Sequence, residues 1–139
     1  MELKVALDFA VQRKRGVLTT IRGDGRPQLS NILFVPVGDE LWISITDTRA
    51  KTKNLRREPR AALYVPGEDF WSYVVLDGTV TLTDVAREEH DAVVELLVDH
   101  YRRGSGEHPD WDDFRRAMVS EGRLLAQLRP TSAYGIVPD

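Results

Sequence analysis

The chain has 139 residues, 42% of them hydrophobic and 29% charged, with a net charge of −3 and no cysteine. These values fit one globular domain over residues 1–139. They exclude a disordered chain, disulfides, thiolate metal sites and cysteine nucleophiles. The longest apolar run, residues 32–37, contains Pro36 and is too short to cross a bilayer. Residues 1–14 lack the apolar centre of a signal peptide. The expected location is therefore the cytoplasm, with no membrane partner.

Leu3, Ala6, Leu7 and Ala10 recur at helical spacing, which predicts a first helix over residues 1–12. β-Branched residues at 17–21 predict a strand, and Asp24-Gly25 a hairpin turn into a second strand over 27–35. Gly38-Asp39 marks another turn. Leu41, Ile43 and Ile45 then alternate with Trp42, Ser44 and Thr46 in the rhythm of a half-buried strand. A short basic helix is expected over 49–57, ended by Pro59, and a fourth strand over 61–65.

The fifth strand has the longest alternation. Ser72, Val74, Leu76, Gly78, Val80 and Leu82 form one face; Trp71, Tyr73, Val75, Asp77, Thr79 and Thr81 form the other. Gly78 is a candidate bulge. Asp84 is a candidate cap for a helix whose apolar stripe is Ala86, His90, Val93, Val94, Leu97 and Tyr101, broken at residues 104–106. Pro109 opens a further helix bearing Trp111, Phe114 and Met118, and Gly122 closes it. Residues 124–137 predict a last strand interrupted at Pro130. Consecutive strands with inserted helices do not make a doubly wound parallel sheet. The expected fold is mainly β with helices, an antiparallel barrel.

Several chemistries lack their residues. No two of the three histidines have the spacing that sets two metal ligands on one helix face, so no metal site is expected, and His90 reads as a packed stripe residue. The nucleophile elbow, the Walker loop and the Gly-x-Gly-x-x-Gly fingerprint are all missing. The positive signal is local. Residues 49–60 hold six basic residues and one acid, a net +5 that leaves −8 for the rest of the chain. Charge so confined argues against nucleic acid and for a small anionic ligand, with a solvated helix face as the plain alternative. Arg49 and Lys51 stand at the entrance to the basic helix, just after the strand carrying Ser44 and Thr46. Free N–H groups and the helix dipole there favour a phosphate or carboxylate.

Gln28, Ser30 and Asn31 are polar residues in an otherwise apolar strand, suited to hydrogen-bond a heterocycle. Strict alternation sets Asn31 opposite Gln28 and Ser30. Trp71 and Tyr73 share one face of the fifth strand. They would stack on a planar ligand, pack across a dimer interface or fill a second core.

Residues 25–31 (GRPQLSN), 49–56 (RAKTKNLR), 71–73 (WSY) and 106–114 (GEHPDWDDF) resemble the pyridoxamine-phosphate-oxidase-like superfamily, and within it the actinobacterial deazaflavin-dependent reductases. The resemblance spans about residues 16–135. It implies a split β-barrel, a homodimer and a cofactor in the groove between subunits, coenzyme F420 or alternatively FMN. Carried over residue by residue, it implies that Arg49 and Lys51 hold the cofactor phosphate. Asn54 would support the phosphate end, and Gln28, Ser30 and Asn31 would line the ring. Trp71 and Tyr73 would come from the second subunit, and Lys53, Arg56 and Arg57 would meet the acidic tail of a deazaflavin. The implied activity is hydride transfer from reduced F420 to a small organic acceptor, with no side chain required as a nucleophile. The alternatives are an FMN-dependent oxidase or reductase on the same fold, and a deazaflavin-binding protein without turnover. Pyridoxamine phosphate oxidation itself lacks matching substrate-phosphate residues.

Overall fold

The computed structural model describes residues 1–138. In chain order the elements are α1 (Leu3–Val11), β1 (Arg15–Ile21), β2 (Pro27–Leu33), β3 (Val35–Val37), β4 (Glu40–Thr46) and α2 (Ala50–Arg57). There follow β5 (Arg60–Pro66), β6 (Tyr73–Leu82), α3 (Ala92–Ser105), α4 (Trp111–Ser120) and β7 (Arg123–Ile136). The seven strands make one sheet in the order β2-β1-β5-β6-β7-β4-β3, and every pairing is antiparallel. The sheet curls until β2 meets β4, which makes a split barrel.

Alternation in the sequence builds its interior. Leu18, Leu41, Ile43, Ile45, Leu63, Val65, Leu76 and Leu124 point inward and are at most 1% exposed. α1 closes the barrel with Ala6, Phe9 and Ala10. Each such buried aliphatic side chain contributes about 1.5–3 kcal/mol. A second core lies outside the sheet, where α3 and α4 cover Leu125 and part of Trp42. No helix is long and apolar enough to cross a membrane among the described residues.

The turn at Asp24-Gly25 forms as expected, with Gly25 at φ +87° and the Arg26 amide bonded to Asp24. The bulge at Gly78 is also present. The register slips between Asp77 and Gly78, and a side chain on Gly78 would strike the backbone of Arg129 and Pro130.

Other expectations need correction. The strand predicted over 27–35 breaks at Phe34, because that ring turns into the core and is 2% exposed; the chain then continues as β3, which pairs with β4 at the other end of the sheet. β7 runs straight through Pro130, because the bulge places that imino group opposite Gly78, where the ladder is already irregular. The helix expected after Asp84 begins only at Ala92. Asp91 caps it, accepting from the amides of Arg87, Glu88 and Val94. His90 therefore precedes the helix and its side chain is 75% exposed; the packed histidine of this region is His100. α3 also continues through Gly104 and stops at Gly106, at φ +82°. Trp71 is not on the fifth strand but in a turn held by Asp69, and it is 74% exposed.

Candidate functional site: a three-cation cavity at the barrel seam

The curled sheet closes where Asn31–Leu33 of β2 approach Ser44–Thr46 of β4, beyond the stretch of β4 that β3 covers. Between them lies a cavity of about 340 Å³, completed by Arg49 and Lys51 at the start of α2 and by Arg123 at the start of β7. The elements fix each of these groups. Thr46 pairs with Arg123 across β4 and β7. The Asp47 amide bonds the carbonyl of Gly122, whose φ of +65° lets the chain turn sharply into β7. Arg49 is the extended residue before α2 and has no side-chain cap. Thr52 donates its hydroxyl to the Thr46 carbonyl at 2.6 Å and anchors the helix on β4. At the first turn the Thr52 and Lys53 amides both bond the Arg49 carbonyl, and the amides before them have no intrahelical acceptor, which favours an anion at this end of the helix.

Three cations thus share one small space with no carboxylate lining it. Lys51 has its pKa lowered, first by burial and then by the charges of Arg49 and Arg123. Arg123 Nε is buried without a hydrogen-bond partner among the described residues, and its terminal nitrogen is 3.4 Å from Glu121. Like charges gathered in a desolvated space cost free energy, and a bound anion relieves that cost. Ser44 and Thr46 add hydroxyls to the same wall.

The groove continues past this cavity. A second space of about 370 Å³ shares Asn31, Ile32 and Leu33 and adds Arg15, Gly16, Val17 and Pro66. Its walls are largely apolar, and β2 is an edge strand whose outer backbone groups are free. A phosphate in the first space would leave room for a flat ring along β2.

The remaining expected residues divide. Gln28 and Asn54 are bonded to each other: Asn54 donates to Gln28 Oε1 at 2.7 Å and to Thr20 Oγ1 at 3.1 Å, and it accepts from Arg57 at 2.9 Å. They tie α2 to β1 and β2 and stand behind the cavity. Ser30 shares their half-buried face, while Asn31 is on the exposed one. Tyr73 is half-buried with its ring 5.5 Å from that of Tyr64, outside the three-cation cavity, as is Trp71. Among the surplus cations, Arg56 pairs with Asp47 at 2.6 Å and Arg57 is held by the Ile21 carbonyl and Asn54. Sequence reasoning missed Arg123. No local pattern marks it; only the register of β4 against β7 brings it to the cavity.

The pyridoxamine 5'-phosphate oxidase family matches residues 4–135 of this chain. The chain belongs to that family. Among solved structures, an F420 reductase is 25% identical, with 91% of this chain and 94% of that chain covered and a TM-score of 0.64. A conserved hypothetical protein from Mycobacterium tuberculosis is 23% identical over 96% of this chain and 82% of its own, at a TM-score of 0.71. A heme storage protein from Vibrio cholerae, 16% identical over 97% of this chain and 95% of its own, shares the fold at a TM-score of 0.68. The pyridoxamine 5'-phosphate oxidase fold is thus similar to that of proteins with different ligands, so the ligand must be argued from the site. None of the three histidines lines the three-cation cavity.

Proposed function

We propose that this protein is an oxidoreductase that uses reduced coenzyme F420 to transfer a hydride to a small organic acceptor. The cofactor would lie in the seam groove, completed by a second copy of the chain, in the cytoplasm. The observation that carries this reading is the cluster of Arg49, Lys51 and Arg123, with a buried guanidinium nitrogen that has no partner among the described residues. It fits the phosphate of a flavin-type cofactor, in keeping with the family match, and the F420 reductase among similar structures favours a deazaflavin.

The bound cofactor supplies the hydride chemistry. The protein holds and orients it. Arg49, Lys51 and Arg123 would grip the phosphate, with Ser44 and Thr46 donating hydroxyl hydrogens. Asn31 and the free edge of β2 would meet the ring. Gln28, Ser30 and Asn54 would act from behind by fixing β2 and α2. Trp71 and Tyr73 of a second copy would cover the groove and exclude water. FMN is the alternative cofactor, supported by the same phosphate site. A deazaflavin-binding protein without turnover would use it equally.

The test is titration of the purified protein with F420 and separately with FMN, followed by fluorescence, with Lys51→Ala alongside. The expected result is preference for F420, with affinity falling at least about tenfold in the variant, the worth of a hydrogen bond to a charged group. Hydride transfer is then sought with quinones, enones, nitro compounds and bilins. Preference for FMN moves the protein to flavin chemistry, and binding of neither overturns the proposal.

A further inference from the structure

On the side of the three-cation cavity away from the ring groove lies a third space, also about 340 Å³, enclosed by β4, α3 and α4. Ser44, His100, Tyr101, His108, Phe114 and Ala117 are among the residues that line it. Ser44 belongs to both walls, and its hydroxyl has no hydrogen-bond partner among the described residues. Trp42, Ser44 and Thr46 point the same way along β4, each roughly 7 Å from the next. The two spaces therefore adjoin at Ser44, and Thr46, in the wall of the first, lies one such step further along β4.

The chemistry of this space differs from that of the cavity beside it. It is lined by no lysine or arginine; its one charged group is Asp113, at the exposed rim. The rings of Tyr101, His108 and Phe114 meet one another with centroids 5.1 to 5.4 Å apart. The two imidazoles have opposite polarity. His100 Nε2 lies 3.1 Å from the Trp42 carbonyl, so it carries the hydrogen and leaves Nδ1 as an acceptor. His108 Nδ1 accepts the Asp110 amide at 2.9 Å, so Nε2 carries the hydrogen and is a donor. Aromatic residues, two imidazoles that each keep one ring nitrogen unengaged, and a hydroxyl suit a flat heterocycle and not a chain of carboxylates.

We infer that this space is a subsite for a purine base attached to the phosphate held by Arg49, Lys51 and Arg123. The occupant is the adenylate part of a nucleotide, free or as the far half of a dinucleotide. The inference rests on reading the three-cation cavity as a phosphate site. FMN and F420 leave the subsite empty.

The experiment is calorimetric titration of the whole protein with inorganic phosphate, adenosine monophosphate, FMN and FAD, repeated with Ala117→Leu, which fills part of the space. Adenosine monophosphate should bind about tenfold tighter than phosphate, the scale of one base stacking on aromatic side chains. The variant should lose that gain while its affinities for phosphate and FMN stay unchanged, which also shows that it folds. A matching gain of FAD over FMN, lost in the variant, assigns the subsite to a dinucleotide; a gain for the mononucleotide alone assigns it to a separate nucleotide. Phosphate binding with no gain from the base overturns the subsite and leaves the phosphate site standing. Failure to bind phosphate at all overturns the phosphate site itself.

Discussion

Arg123 carries a cost in the empty fold that the proposed ligand would relieve. Its Nε gives up water without gaining a partner, and it adds to the charge that lowers the pKa of Lys51. Burying an unsatisfied polar group costs about 1–3 kcal/mol. Arg123→Gln should therefore raise the melting temperature of the ligand-free protein and weaken phosphate or FMN binding about tenfold or more. Thermal melts with and without ligand test both halves, and a variant that is less stable yet binds as well would sink the argument. His100 makes the opposite kind of commitment. Burial lowers its pKa below the ordinary 6.5, outweighing the Trp42 carbonyl and Asp99. As pH falls through 6.5 the unfolded imidazole takes up a proton that the folded one resists, so folding stability declines toward pH 5. His100→Gln should flatten that acid limb, measured as melting temperature against pH; an unchanged slope would assign the loss to other groups.

At the level of elements, α2 depends on a polar bracket more than on its apolar surface. Its buried residues are Thr52, Asn54 and Leu55, only one of them aliphatic. Asn54 bonds two strands and Arg57 at once. Asn54→Ala strips partners from the Gln28 amide and from Arg57, and should cost about 1–3 kcal/mol, read as a lower denaturation midpoint. Cofactor affinity should fall with it, because Arg49 and Lys51 enter the cavity from the same helix. Preserved stability would show the bracket to be incidental.

The alternation of β4 and β6 was readable because each has one face in the barrel core, and the basic helix because its charge contrasts with an acidic chain. What the sequence concealed depended on partners distant in the chain. The stripe from Ala86 to Tyr101 looked helical throughout, yet Asp91 captures the amides before Ala92 and starts the helix late. Pro130 looked like a strand break until Gly78 stood opposite it. Arg49 and Lys51 could be picked out by position, whereas Arg123 needed the pairing of two strands almost eighty residues apart.

At the scale of the whole molecule, several large apolar side chains of β2, β7 and the turn before β6 stand exposed. Leu29 and Leu33 of β2 are 62% and 63% exposed, and Phe70, Trp71, Tyr134 and Ile136 are more than half exposed. Exposed apolar side chains of this size mark interaction surfaces, and Leu33 lines the groove in which the ring would lie. A second copy of the chain is the proposed occupant. Sedimentation velocity should then give a dimer for the native chain and a monomer for Leu33→Glu, with cofactor binding lost from the monomer. A monomeric native protein that still binds cofactor would overturn the shared groove. The placement of the α3–α4 hairpin has another consequence. It departs from the end of β6 and returns at the start of β7, strands already paired at Leu82 and Ala126, so its two ends meet whatever its length. Lengthening such an excursion adds little closure entropy, about 0.6 kcal/mol per doubling. The hairpin is thus an exchangeable part: evolution or an engineer can replace it, and with it the aromatic space over β4, while the strand register goes on delivering Arg123 to the three-cation cavity.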